Sequence, residues 1–231
     1  PSTIEDLTAV TMRGISKKGT ISDGDLTVIA VADREGRRFI LASFHGDTDG
    51  LATPLALSAV HAVTASREGH TLLFGLDANC YERHTVGKQL GATEFADGFA
   101  SLGYTSCWGD VPPVDNYTTY NARTFLQPQL QKASKFNEKA KKGDRNPKDY
   151  ILFPKGSFSV TEASKDNTGS RSYTEDMVFP TLSFPSDHGL IACTLQPERA
   201  DEATSWLHRS AAIALGVAVL ASLAYYANAH R

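Results

Sequence analysis

The sequence predicts a mixed α/β (α+β) domain of strands broken by helices and long polar loops, followed by one separate C-terminal helix. Three observations carry this. β-branched apolar runs alternate with a segment of helical apolar spacing. Polar clusters stand at the ends of the strand-like runs. A charge-free stretch, SAAIALGVAVLASLAYYA, lies near the C-terminus. A chain of 231 residues with 41% hydrophobic and 21% charged content suits one sizeable globular domain with an appendage.

Taken in order, residues 1–20 form a polar lead-in. They lack the charged-then-apolar profile of a signal peptide, and the chain opens at Pro1 without an initiator methionine, so an upstream portion is expected. The run DLTVIAVAD (25–33) reads as a strand and FILASF (39–44) as its hairpin partner across a turn containing Gly36. Leu51 to Ser66 is spaced for a helix, and HTLLFGLDAN (70–79) is a buried strand ending in polar residues. Phe95 to Leu102 is a helix stopped by Gly103. Tyr150 to Phe153 is a short strand, and Gly189 to Leu195 is a buried one. Asp110 to Arg123 and Gln131 to Lys148 are long polar loops.

A linker, 197–208, precedes a predicted transmembrane helix, 209–228. Ser210 to Ala227 holds 18 residues without charge or proline, at the short end for a membrane span. Trp206, Tyr225 and Tyr226 flank it as interfacial aromatics do. Ala212 and Gly216 form a small-residue pair suited to close helix contact. One arginine on each side, Arg209 and Arg231, leaves its orientation open.

The net charge of −3 gives no electrostatic case for non-specific nucleic-acid binding. Cys80, Cys107 and Cys193 form neither a disulfide framework nor a C-x-x-C metal pair, which favours a reducing, intracellular setting. Seven Lys/Arg against two acids in the run Lys132 to Lys148 read as a solvated loop, with attraction of a phosphate-rich substrate as the alternative.

Chemistry concentrates in four clusters: SFHGD (43–47), GLDAN (75–79), PKDYILF (147–153) and PSDHGLIAC (185–193). Strand ends are where α/β scaffolds gather side chains from distant sequence into one cleft. Carboxylates, an amide and imidazoles suit metal-assisted attack of water on a phosphoester. Each cluster also has a plainer reading. Asp77 and Asn79 suit an Asx turn, His188 a structural histidine, and Asp149 a turn residue.

In order, LLFGLDAN, KDYILFPKG and FPSDHGLIACTL resemble the endonuclease/exonuclease/phosphatase superfamily with its DNase I-like fold, whose members act on nucleic acids, inositol phosphates and sphingolipids. The resemblance covers roughly Ile21 to Leu195 and implies, for residues 21–196, part of a two-sheet sandwich with flanking helices. It also implies roles. Asp77 orients or deprotonates the attacking water, and Asn79 holds the transition state. His188 contacts the scissile phosphate, with Asp149 fixing its tautomer and charge. Asp187 is a metal ligand for Mg²⁺, and His45 serves the leaving group. Ser43 stands where the family pattern expects asparagine, so His45 departs from that pattern. Asn121 and Arg123 lie in a loop that contacts substrate in related enzymes.

The family's first-half ligands, a strand-borne asparagine and glutamate, have no match here; Glu5 lies in TIEDLTAV without a preceding strand. The resemblance therefore implies the second half of the fold, with a partner or upstream half covering the sheet left open. Two functions follow: a membrane-anchored Mg²⁺-dependent phosphodiesterase or phosphatase completed by that half, or an inactive accessory subunit of a membrane complex, for example a mitochondrial one.

Overall fold

The structure, a computed structural model, describes residues 4–15, 21–121 and 144–198. Its centre is a sheet in the order β1-β2-β3-β4-β8-β5. These strands are β1 (Ile4–Asp6), β2 (Leu26–Ala32), β3 (Arg38–His45), β4 (His70–Asp77), β5 (Tyr104–Ser106) and β8 (Asp149–Pro154). Two ribbons complete the strands: β6 (Thr119–Asn121) with β7 (Asp144–Asn146), and β9 (Phe158–Asp166) with β10 (Leu190–Pro197). The helices are α1 (Thr8–Arg13), α2 (Thr53–Ala65) and α3 (Ala92–Ser101).

Alternation along the strands explains the layering. One face carries Leu26, Val28, Ile40, Phe44, Leu72, Phe74, Tyr150 and Leu152, all buried. The helices contribute Ala56, Leu57, Val60, Phe95 and Phe99 to the same core, and Phe95 stacks edge-on against both Phe99 and Tyr150. Each buried Leu, Ile, Val or Phe side chain among them stabilises the fold by about 1.5–3 kcal/mol through removal from water. The other face carries Ile29, Val31, Phe39, Leu41, Leu73 and Ile151, and all six are only half-buried.

The hairpin of β2 and β3 forms as predicted. β3 then runs parallel to β4, with α2 as the crossover between them, and β8 returns antiparallel beside β4. This arrangement brings His45, Asp77 and Asp149 into one row, because His45 pairs with Asp77 and Asp77 with Asp149.

Several expectations change. The lead-in is part of the fold: β1 pairs with β2, and Leu7, beside α1, is 2% exposed in the core. Both long loops contain strand, since β6 and β7 pair from Thr119↔Asn146 to Asn121↔Asp144. The basic run is not wholly solvated. Lys148 is buried, and Arg145 lies over the rings of Tyr117 and Tyr120, 5.3 and 4.9 Å from their centroids. β10 is not a buried strand, because among the described residues its only ladder partner is β9 and its residues are exposed or half-buried. The predicted membrane helix, 209–228, lies outside the described residues; among those described, no helix is long and apolar enough to cross a membrane.

Candidate active site

The site stands where β4 and β8 meet, on the half-buried face of the sheet. Asp77 ends β4 and Asp149 opens β8, so their register sets the two carboxylates side by side. His188 comes from the loop just ahead of β10. Its Nδ1 lies 3.1 and 3.0 Å from the two carboxylate oxygens of Asp149, and its Nε2 lies 3.6 Å from Asp77 Oδ2. A ring nitrogen that donates to a carboxylate fixes the tautomer and leaves the other nitrogen facing the cleft. Ser186 shapes the turn: its hydroxyl accepts the His188 N–H at 3.1 Å and donates to the His188 carbonyl at 2.8 Å.

Asn79 completes the cluster from below. It is a non-glycine residue at φ 47, a left-handed conformation that asparagine tolerates better than most. That turn folds its amide back, so Nδ2 donates to Asp77 Oδ2 at 3.0 Å and to the Gly46 carbonyl at 2.8 Å. Its backbone N–H donates to Asp77 Oδ1 at 2.8 Å. The plainer Asx-turn reading is thus also realised, and the turn holds the carboxylate in place.

Two of the predicted residues lie apart. His45 is exposed, with Nε2 3.8 Å from Asp77 Oδ2 and Nδ1 3.9 Å from Asp25 Oδ1, so it flanks the cluster without a hydrogen bond to it. Asp187 is exposed beside His188, outside the group of converging side chains. Asn121 ends β6, and Arg123 lies outside the described residues.

Three supporting residues were not foreseen. The Thr118 hydroxyl donates to Asp149 Oδ2 at 2.5 Å and accepts the N–H groups of Lys148 and Asp149 at 3.0 and 3.1 Å. The Thr118 carbonyl accepts the Gly189 N–H at 2.7 Å. Lys148 Nζ donates to Asn79 Oδ1 at 2.5 Å and lies 5.0 Å from the centroid of the Tyr81 ring. Trp108 Nε1 donates to the Asp149 carbonyl at 3.0 Å. A threonine in a polar loop carries no sequence signal for this role. Lys148 had one, its place directly ahead of Asp149, obscured by the surrounding basic run.

Charge and burial bias the protonation states. Burial, with the Asp149 charge behind it, pushes the Asp77 carboxyl above its ordinary range, against the lowering effect of His188 and the Asn79 N–H. Burial alone would lower the His188 value. The hydrogen bond that His188 donates to Asp149 and the charges of Asp149, Asp77 and Asp187 outweigh it, and the imidazolium is favoured.

Asp77, Asp149 and His188 each offer a ligand atom, all within 4.8 Å of one another, and can hold a metal ion. The donor chemistry limits which ion. Asp149 is occupied by Thr118 and His188, and Mg²⁺ demands near-octahedral oxygen ligation. These three residues alone do not meet that demand.

No protein-family model matches the chain, and no curated protein matches it. Solved structures resemble it at low identity. The catalytic domain of human Nocturnin with bound sulfate is 19% identical at a TM-score of 0.41, over 74% of this chain and 52% of that one. Truncated Caenorhabditis elegans TDP2 is 18% identical at 0.42, over 74% and 58%. An endonuclease/exonuclease/phosphatase from Beutenbergia cavernae is 12% identical at 0.45, over 86% and 45%. The chain spans about half the length of these structures.

Proposed function

We propose that this chain carries the water-activating side of a phosphoester hydrolase of the endonuclease/exonuclease/phosphatase type. The observation behind the reading is the convergence of Asp77, Asp149 and His188, residues 111 positions apart at the extremes (188 − 77), at the end of the sheet where β4 and β8 meet. In this reading Asp77 accepts the proton of the attacking water. Its raised pKa makes it a better base than an exposed aspartate. His188, held cationic by Asp149, places Nε2–H on a phosphoryl oxygen and stabilises the charge that develops there. Asn79, anchored by Lys148, keeps the Asp77 carboxylate pointed at the water. His45, at the rim beyond Asp77, is placed to serve the leaving group.

Asp187 is the proposed oxygen ligand for Mg²⁺, with further oxygen donors required beyond the three converging residues. The ion would supply Lewis-acid polarisation of the phosphoester. The half-buried apolar face of Ile29, Val31, Phe39, Leu41, Leu73 and Ile151 supports a covering layer, from an upstream half or a partner chain. Membrane anchoring through 209–228, with the domain inside the cell, remains part of the proposal.

The test is hydrolysis of bis(p-nitrophenyl) phosphate and p-nitrophenyl phosphate by the full-length protein, purified with whatever chains accompany it, across a divalent-metal series. Metal-dependent turnover lost in both Asp77→Ala and His188→Ala is expected. Equal rates in wild type and Asp77→Ala would remove the reading.

A further inference from the structure

Arg145 and Lys165 play no part in that chemistry, yet the fold mounts both beside it. Arg145, on β7 opposite Tyr120 of β6, lies over the rings of Tyr117 and Tyr120. Lys165, near the end of β9, has Nζ 4.0 Å from the centroid of the Tyr173 ring and donates to the Tyr117 carbonyl at 3.0 Å. Tyr117 thus touches both cations, and it directly precedes Thr118, whose hydroxyl and carbonyl hold Asp149 and Gly189. Tyr173 reaches the site as well: a Cβ added at Gly189 would stand 3.4 Å from its Cε2. One backbone step separates the residue that braces Lys165 from the one that braces the His188–Asp149 pair.

Both cations meet acids from a single turn. The Met177 N–H donates to the Thr174 carbonyl at 3.2 Å, and Glu175 and Asp176 form the corner between them. Lys165 Nζ donates to Glu175 Oε1 and Arg145 Nη1 to Asp176 Oδ1, each at 3.4 Å. The Glu175 and Asp176 side chains are 64% and 93% exposed, whereas those of Lys165 and Arg145 are 12% and 32% exposed. Ion pairs with so exposed a partner add little stability and exchange readily. The cations are held independently of the acids, by tyrosine rings and a carbonyl, so they keep their places when the turn moves off. A guanidinium packed on rings still presents its N–H edge to a phosphate oxygen, and a phosphate dianion outcompetes a single carboxylate for it.

We propose that Arg145 and Lys165 form a subsite for a second phosphate of the substrate, and that Glu175 and Asp176 compete with that phosphate for the two cations. The inference rests on the hydrolase reading, which places the scissile phosphate at Asp77 and His188. It narrows the substrate to compounds whose group beside the scissile phosphate carries another phosphate, such as a nucleoside bisphosphate unit or an inositol polyphosphate. A phosphate that pairs with both cations displaces both carboxylates, so the Thr174–Met177 turn lifts as the substrate seats. The turn then acts as a filter: a ligand with one phosphate cannot fill the catalytic cluster and displace the acids together.

Binding is measured by titration calorimetry on the full-length protein, purified with whatever chains accompany it. The ligands are thymidine 3′,5′-bisphosphate and inositol 1,4-bisphosphate, with thymidine 5′-monophosphate and inositol 1-phosphate as single-phosphate references. At least one bisphosphate should bind about tenfold or more tightly than its reference, and the one with the larger preference identifies the source of the second phosphate. Arg145→Met should erase that preference and leave the references unchanged. The double variant Glu175→Gln with Asp176→Asn removes the competing charges and should tighten bisphosphate binding by about threefold or more. Bisphosphates that bind no better than their references overturn the inference, as does a preference that survives Arg145→Met. Should Arg145→Met fail to fold, the exposed double variant is decisive, and unchanged or weaker bisphosphate binding in it overturns the inference. Turnover enters none of these readouts, so a missing preference leaves the hydrolase reading standing, and a failed hydrolysis test leaves the preference measurable.

Discussion

His188 reaches both carboxylate oxygens of Asp149 through one ring nitrogen, at 3.0 and 3.1 Å, and turns the other nitrogen toward Asp77. The pairing raises the imidazole pKa, so its cation persists above the ordinary value of 6.5 and is lost as pH rises through the folded value. Asp77 is ionised only above a value higher than 3.8. A base at Asp77 and a cation at His188 together give a bell-shaped profile of kcat/KM, rising on Asp77 and falling on His188. In Asp149→Asn the falling limb should move to lower pH while the rising limb does not move upward. Matching titration of His188 by NMR checks the assignment, and a falling limb that stays in place contradicts it.

Asp77→Asn should lower turnover by about 10²–10⁴-fold, the usual contribution of a general base. Its effect on stability should run the other way. A raised pKa means that the folded protein disfavours the charged carboxylate, so a neutral amide at Asp77 should leave the melting temperature unchanged or slightly higher. Thermal unfolding at neutral pH, measured beside the kinetics, separates the two effects.

Lys148→Met removes the donor to Asn79 Oδ1 while keeping a similar apolar stem. The buried amide oxygen loses its partner, a cost of about 1–3 kcal/mol measurable by urea denaturation. Because the Lys148 charge also lowers the Asp77 pKa, kcat should fall and the rising limb of the pH profile should move to higher pH, with the falling limb in place.

Thr118→Val keeps the shape but strips three hydrogen bonds from around Lys148 and Asp149. A loss of about 2–4 kcal/mol is expected, with the individual bonds not strictly additive. Thr118→Ser should recover most of it; if it does not, the methyl contact outweighs the hydroxyl.

Gly50→Ala probes the floor of the site. Gly50 has φ +71, and an added Cβ would stand 2.6 Å from the Asn79 carbonyl oxygen and 2.8 Å from that of Ala78, both backbone atoms. Gly36 has φ +82 but nothing within 4 Å of such a Cβ. Gly36→Ala should therefore cost only about 1 kcal/mol of backbone strain. Gly50→Ala should cost distinctly more and reduce turnover as well, as the Asp77–Asn79 turn is displaced. Equal melting temperatures for the two variants would refute the contact.

The readability of the sequence followed the physical range of each signal. Asp77, Asn79, Asp149 and His188 were legible because each closes or opens an apolar run, and strand alternation is strictly local. β1, β6 and β7, at three residues each, are too short to display a period, and they exist through partners such as Val31 for Ile4 and Asn146 for Thr119. β10 misled because an apolar alternation marks a strand without saying what lies on either side of it: Ile191, Cys193 and Leu195 meet only partial cover. Thr118 and Trp108 were invisible for another reason. Their hydrogen bonds reach 31 and 41 positions along the chain, and no local pattern encodes them.

The two ends of Thr118 have a practical consequence. Its hydroxyl grips Asp149, and its carbonyl takes the N–H of Gly189, the residue directly after His188. Acid and imidazole therefore share one tether, and neither can swing away without disturbing it. The exchange rate of a single amide hydrogen, that of Gly189, becomes a gauge of assembly: slow when the pair is docked, fast when it has parted, and readable without any substrate.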